Sequence, residues 1–394
     1  MIAGIVMGCC LAATAPQAVA EARPGPRIEW GAPQVVGRGG YPRMRVLADG
    51  RWALVYSGSD KAPGAVIRFS ADKGATWTAP RTAIPDLTVP DGASILRVGV
   101  CNSELTQLSP AHPAHPGRLV YSVNLRPHRN RSTVYPFSIG YAVSDDNGAT
   151  WSPMKVPFQS LTWTNDVLRG CWEPYVQELP GGALHLYFSD ETPYWRRGSR
   201  DQNISYLVST DGGDSWSRER MACYTAGGRD GMPVTTVWNG RIYLAVEAHV
   251  PGHLDWPMRQ RIVSTPLADP WREPVLADSP CRYDPMAKSL TATDYCGAPY
   301  LIQTANHFAL SGQYVDCMRD KGRDFLRQAV FPVWVMRKAD ARADGALTAF
   351  ANATCPLGDA ASVCWSSLTA LGGDDLMAVC QRGGDVVLVR GRIR

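Results

Sequence analysis

Apolar residues run along the chain in short stretches, each pair separated by a turn rich in Gly, Pro and Asp. The stretch from Tyr41 to Ser57 (Y-P-R-M-R-V-L-A-D-G-R-W-A-L-V-Y-S) and that from Glu173 to Ser189 (E-P-Y-V-Q-E-L-P-G-G-A-L-H-L-Y-F-S) share one plan: strand, turn, strand. Aligned on the turn and the second strand, such units begin near Tyr41, Asn102, Glu173, Gly231, Gly297 and Trp365, 58 to 71 residues apart. Six units predict an all-β fold, a six-bladed β-propeller of four-stranded blades around a central axis.

A second repeat runs in step with the first. S-A-D-K-G-A-T-W from Ser70 to Trp77, S-D-D-N-G-A-T-W from Ser144 to Trp151 and S-T-D-G-G-D-S-W from Ser209 to Trp216 obey S-x-D-x-G-x-[TS]-W. The pattern suits a hairpin turn: the Asp carboxylate accepts turn amides, Gly permits positive φ, and Trp fills the space between repeats. Ser264 and Trp271 keep the spacing without the Asp and Gly, which reads as a decayed fourth copy. The octapeptide resembles the Asp box of sialidase-like propellers, and its Asp residues are expected to be structural.

The chain ends predict ring closure. W-G-A-P-Q-V-V from Trp30 echoes W-T-A-P-R-T-A from Trp77, while the last unit stops one strand short after Ile393. Residues near 28–36 are therefore expected to complete the sixth blade, leaving one propeller domain over 21–394.

The register also places a site. In an antiparallel blade the start of the first strand lies beside the end of the second. The second-strand ends are Ser57, Asn124, Ser189, Glu247, Gln313 and Gln381, so these and the six unit starts should crowd one rim of the channel, opposite the octapeptides. Glu173 and Glu247 are the carboxylates in these two sets, and they belong to neighbouring blades. Paired carboxylates on a concave rim are the minimum equipment for glycoside hydrolysis, one attacking and one protonating the leaving oxygen. Against this stands the plainer reading that each glutamate pairs with a nearby Arg such as Arg169 or Arg229. The apolar flanks of both favour function.

At these residues a family resemblance emerges. C-W-E-P-Y from Cys171, R-D-G-M-P-V from Arg229 leading to Glu247, G-A-P-Y from Gly297 and W-S-S-L from Trp365 resemble glycoside hydrolase family 93, over roughly residues 28–394. That resemblance implies a sialidase-superfamily propeller that cleaves α-1,5-L-arabinan from the chain end and releases arabinobiose. It implies Glu173 as the nucleophile of a retaining mechanism and Glu247 as the acid/base.

Substrate-binding candidates are Tyr41, Asn102, Trp172, Tyr194, Trp195, Arg229, Asp230, His249, Gln313 and Tyr314. Trp163 is a further aromatic that can stack on a sugar face. No cofactor or metal is expected: no cysteines stand in CxxC spacing, and His112 and His115 sit in a turn without an acidic partner nearby in sequence. The main enzymatic alternative is an exo-α-sialidase, in which Arg43, Arg97 and Arg229 would converge on a sugar carboxylate and Tyr295 or Tyr314 would pair with a Glu. A non-catalytic glycan-binding propeller is the second alternative.

Composition narrows the rest. Lys+Arg 40 against Asp+Glu 36 gives a net charge of +4, too mild for a nucleic-acid binder. Residues 1–20 lack Asp, Glu, Lys and Arg and end in A-V-A, as an export signal does, so a secreted or periplasmic monomer acting on an oligo- or polysaccharide is expected. No later stretch is apolar enough to span a membrane. In an exported protein Cys281/Cys296 and Cys355/Cys364, close in sequence, are disulfide candidates.

Overall fold

The computed structural model describes residues 25–59, 63–127, 135–161, 170–249, 258–286, 290, 294–316 and 325–394. The expected export signal, Trp163 and Arg169 lie outside them. Six antiparallel sheets are arranged in a ring, each beginning at the axis. Their innermost strands are Gly40–Val46, Ser94–Gln107, Cys171–Glu178, Asp230–Trp238, Tyr295–Gln303 and Val363–Gly372. Each contacts the next, and the sixth contacts the first. The expected six-bladed propeller is the fold.

Closure is as the chain ends predict. Ile28–Trp30 and Gln34–Arg38 both pair antiparallel with Asp385–Ile393, so the N-terminal segment supplies the outer strand of blade six. No strand edge is left open at that seam, which is how a closed architecture avoids an aggregation-prone edge. The core lies between blades, where strands such as Trp52–Ser57 and Leu184–Asp190 bury nearly every residue. A strand packed on both faces needs a near-continuous apolar run, and those runs carry the repeat.

The octapeptides pin the blades at the rim opposite the expected site. Asp146 accepts from Ser144 Oγ (2.7 Å), Thr150 N (2.8 Å) and Thr150 Oγ1, and Ser144 Oγ accepts from Gly148 N (2.8 Å). Asp72 and Asp211 repeat the pattern. Trp216 reaches the preceding blade, standing edge-on to Tyr141 (5.8 Å), while Trp151 stands edge-on to Tyr121 of its own blade (5.6 Å). The decayed copy works as Trp216 does, since Trp271 is buried and donates to Tyr187 Oη of blade three at 2.9 Å.

The disulfide expectation is not met: Cys281 is not joined to Cys296, nor Cys355 to Cys364. Topology explains it. Cys281 precedes the outer strand Arg282–Tyr283 of blade four, while Cys296 lies on the inner strand of blade five. Cys355 and Cys364 are likewise split between an outer and an inner strand. Closeness in sequence becomes radial separation when a chain crosses from one blade to the next.

Candidate active site

Each inner strand begins with the same irregularity. A bulge separates Gly40 from Arg43, Cys101 from Glu104, Trp172 from Tyr175, Gly231 from Val234, Gly297 from Tyr300 and Cys364 from Ser367. Within each bulge one non-glycine residue is left-handed: Tyr41, Asn102, Glu173, Met232, Ala298 and Trp365, with φ between 46° and 53°. That backbone costs a non-glycine residue about 1–3 kcal/mol and persists only where its surroundings impose it. In blades four and five the special residue is Met232 and Ala298, one position beyond the predicted starts Gly231 and Gly297. The sequence marker is the next residue, which is Pro after Tyr41, Glu173, Met232 and Ala298 and Ser after the other two.

The second-strand ends fall where the register places them. Gly40 pairs with Ser57, Cys101 with Asn124, Trp172 with Ser189, Gly231 with Glu247, Gly297 with Gln313 and Cys364 with Gln381. Several reach across to the next blade's bulge. Ser189 Oγ accepts from Met232 N (3.1 Å), Glu247 Oε2 from Ala298 N (2.8 Å) and Gln313 Oε1 from Trp365 N (3.3 Å). Asn124 Nδ2 donates to Cys171 O at 2.8 Å. These bonds are what hold the left-handed residues in place.

The rim is chemically uneven. Tyr41, Met232, Ala298 and Trp365 form one apolar cluster. The polar members of the rim are Asn102, Glu173 and Glu247, the last bound to the amide of Ala298 in that cluster. Ser189 Oγ donates to Glu173 Oε2 at 2.9 Å, so one hydroxyl ties the glutamate of blade three to the Met232 amide of blade four. Glu247 lies across two glycines. A Cβ at Gly297 would stand 2.7 Å from Glu247 Oε2 and 2.5 Å from Tyr295 Oη, and one at Gly231 would stand 3.3 Å from Glu247 Oε1. Glycine is required there because the acid occupies the space a side chain would take.

Both glutamates are half-buried. Burial raises Glu173 above the usual carboxylate range, opposed by the charge of Arg126, the Ser189 hydroxyl, the Met232 amide and Arg229. Burial and the neighbouring charge of Glu173 push Glu247 up to about 7, against the Ala298 amide and Arg229. Mutual repulsion of two desolvated carboxylates keeps a proton on one near neutrality, and Glu247 is the one pushed furthest. The arrangement can hold an ionised nucleophile beside a protonated acid.

Beneath the rim a second ring of side chains fills the channel. Arg43 Nε pairs with Glu104 Oε2 (3.2 Å), Arg45 with Glu104 Oε1 (2.6 Å), and Tyr300 Oη lies between Arg45 (2.8 Å) and Glu104 (3.3 Å). The Arg43 guanidinium also lies over the Tyr41 ring, 3.8 Å from its centroid. This network closes the channel under the carboxylates. Its members lie far apart in sequence, so no local pattern announces Glu104.

The other expected residues divide. Trp172 is half-buried beside Phe137 (4.6 Å between centroids) with Arg126 over its ring at 4.7 Å. Asn102 and Tyr41 occupy the rim but are nearly buried. Gln313 supports Trp365, and Tyr314 is half-buried against Val330. Tyr194 stacks on Tyr224 at 4.9 Å, and the side chain of Trp195, on the short 3-10 helix Thr192–Arg197, lies outside the described set. Asp230 is fully buried and gripped by Arg282 through both oxygens (2.7 and 3.0 Å), so it is held away from the rim surface. His249 is buried, its amide bonded to Arg229 O. His112 is buried, its ring held by Gly182 O at 2.9 Å, and among the described residues no group of three or more His, Cys, Asp or Glu could hold a metal.

The three arginines of the sialidase alternative each serve a different acid: Arg43 binds Glu104, Arg97 binds Asp86 and Arg229 binds Glu191. They do not gather on one pocket. Sequence reasoning placed Trp365 on the rim without naming it as a substrate-binding aromatic, and it missed Arg126 and Gln202, whose Nε2 donates to Asp230 O at 2.8 Å beside Gly231.

No protein-family model and no curated protein matches the chain. Solved structures do. The α-L-arabinofuranosidase of glycoside hydrolase family 93 from Fusarium graminearum, in complex with arabinobiose, is similar with a TM-score of 0.63 and 19% identity, covering 92% of this chain and 97% of that one. The α-L-arabinanase of Penicillium chrysogenum, also complexed with arabinobiose, gives 0.62 and 17%, covering 92% and 98%. A sialidase from Streptococcus pneumoniae gives 0.54 and 10%, covering 91% and 68%. At these identities the likeness is one of fold: a sialidase-like six-bladed propeller.

Proposed function

We propose that the protein is a retaining glycoside hydrolase with Glu173 as nucleophile and Glu247 as general acid/base. The observation that carries this reading is the pair of half-buried glutamates on one rim, with Glu247 held near 7 by burial and by Glu173. In the first step a Glu173 oxygen attacks the anomeric carbon while Glu247 gives its proton to the departing glycosidic oxygen. In the second, Glu247 takes a proton from water, which displaces Glu173 and restores both groups. Ser189 orients the nucleophile; the half-buried Trp172 and Trp365 offer surface for sugar rings.

The substrate we propose is α-1,5-linked arabinan cleaved from its end with release of arabinobiose. The motifs around Glu173 and Glu247 and the arabinobiose-bound structural neighbours support it. Export, from the composition of residues 1–20, fits a polymeric substrate outside the cytoplasm. A sialidase reading keeps one supporting observation, the crowding of Tyr295 Oη and Glu247 Oε2 over Gly297. A product screen on arabinan and sialyllactose decides between them. Arabinobiose from arabinan, with the α configuration retained at first appearance by NMR, supports the proposal. Free sialic acid instead gives the case to the sialidase, and binding without turnover to the glycan-binding module.

A further inference from the structure

Beside Glu173 a cleft of about 390 Å3 opens between blades one and two, lined by Ser57, Asp86, Arg97, Gly99, Cys101 and Arg126 among others. One wall is a feature no repeat predicts. The inner strand of blade two is extended to Ser94–Gln107 and pairs with an added strand, Leu87–Asp91, forming a hairpin beyond the rim. Arg97 on that hairpin is neutralised by Asp86 at 2.7 Å.

Arg126 is different. Its Nε donates to Asn124 Oδ1 at 2.8 Å and its guanidinium lies 4.7 Å from the Trp172 ring centroid, so two neutral partners fix its plane. Among the described residues no carboxylate stands within ion-pair distance of it, although Glu173 is near enough for its charge to be felt. A half-buried, oriented guanidinium whose terminal amino groups have no partner among the described residues is poorly compensated by neutral contacts and gains most from an oxyanion that matches its fork.

We propose that this cleft is an anion-accepting subsite, in which Arg126 binds a carboxylate carried by the glycan next to the unit being cleaved. The acidic group sits on the cleft side, because a second anion placed directly on Glu173 would be repelled. The substrate class becomes a glycan with a uronate near its scissile end rather than a wholly neutral chain. This inference rests on the glycosidase reading, and its test separates the two.

The test uses short acidic arabinan-derived oligosaccharides carrying a uronate and the same pool after carboxyl reduction, with an aryl α-L-arabinofuranoside that carries no acid as a third substrate. Turnover of the aryl glycoside tests the glycosidase reading alone. For the subsite, the wild-type protein should cleave the acidic pool at least about 10-fold more efficiently than the reduced pool, as a charge-assisted bond implies. Arg126→Met should bring that ratio to about one, and Arg126→Lys should retain part of it. Calorimetry on Glu173→Gln should show the same preference in binding, weakening with salt. Equal rates on the two pools, or an Arg126→Met loss that is equal for both, overturns the subsite whatever happens to the aryl glycoside. The wild-type comparison holds even if the variant folds poorly.

Discussion

The two rims of this propeller put carboxylates to opposite uses. On one, Asp72, Asp146 and Asp211 sit in solvent-facing turns. Asp72 and Asp146 are drawn down to about 2, chiefly by the hydroxyl and amide of Thr76 and Thr150. For Asp211 burial is the largest single influence and pushes upward, but the hydroxyl and amide of Ser215, the Ser209 hydroxyl and the Asp214 amide together still draw it down to about 2. On the other rim Glu173 is raised and Glu247 reaches about 7, because burial and mutual repulsion outweigh a few bonds. The same functional group is thus a fastening where it is saturated with donors and a proton carrier where it is not. A motif can recur three times and carry no chemistry, while two glutamates outside any octapeptide carry the proposed reaction.

That contrast can be broken by substitution. The largest effect is expected at Glu173. Glu173→Gln should remove turnover by on the order of 10,000-fold or more on every substrate, since no step proceeds without the nucleophile. Its melting temperature should not fall, because an uncharged amide replaces a carboxylate that burial disfavours; kinetics and calorimetry on one sample check both.

Glu247→Ala should cost roughly 100- to 10,000-fold on glycosides with poor leaving groups, and far less in the first step on activated aryl glycosides. Azide should rescue the second step. In the wild type, kcat/KM should fall as pH rises through about 7, where Glu247 loses its proton, and fall at acid pH as Glu173 gains one. The linked stability has a definite sign. Glu247 binds its proton more tightly folded than unfolded, so stability falls with rising pH between its ordinary 4.5 and about 7, and Glu247→Gln should flatten that fall.

The smallest effect belongs to the fastening rim. Asp211→Ala should lower the melting temperature by roughly 2–4 °C with kcat unchanged. The sign is reversed from that of Glu247. The contribution of Asp211 is present above its ordinary 3.8 and is lost as pH falls through about 2, so the variant and wild type should converge in acid.

Sequence patterns carried the ring, its closure and the register opposite Ser57, Asn124, Ser189, Glu247, Gln313 and Gln381, because each rests on contacts local to one blade or on a strict repeat. The left-handed positions in blades four and five were displaced by one residue, since Gly231 and Gly297 draw attention while Met232 and Ala298 carry the strain. Glu104, Arg45 and Tyr300 were illegible for a different reason. Their bonds join blades two, one and five, and residues 196 apart leave no local signature. Arg126 was hidden likewise: that its partners among the described residues are Asn124 and the Trp172 ring, with no carboxylate, is something only packing reveals. Asp230 misled, because a polar residue at a strand start reads the same whether it meets solvent or, as here, Arg282.

The central claim is that Glu173 forms the bond to the sugar. Its most direct test is to trap that bond with a 2-fluoro α-L-arabinofuranoside bearing an activated leaving group and to map the labelled peptide by mass spectrometry. The account predicts a single glycosyl ester on Glu173, absent in Glu173→Gln and slow to turn over in Glu247→Ala. A label on Glu247 or on Tyr295, or hydrolysis with inversion and no label, would contradict it.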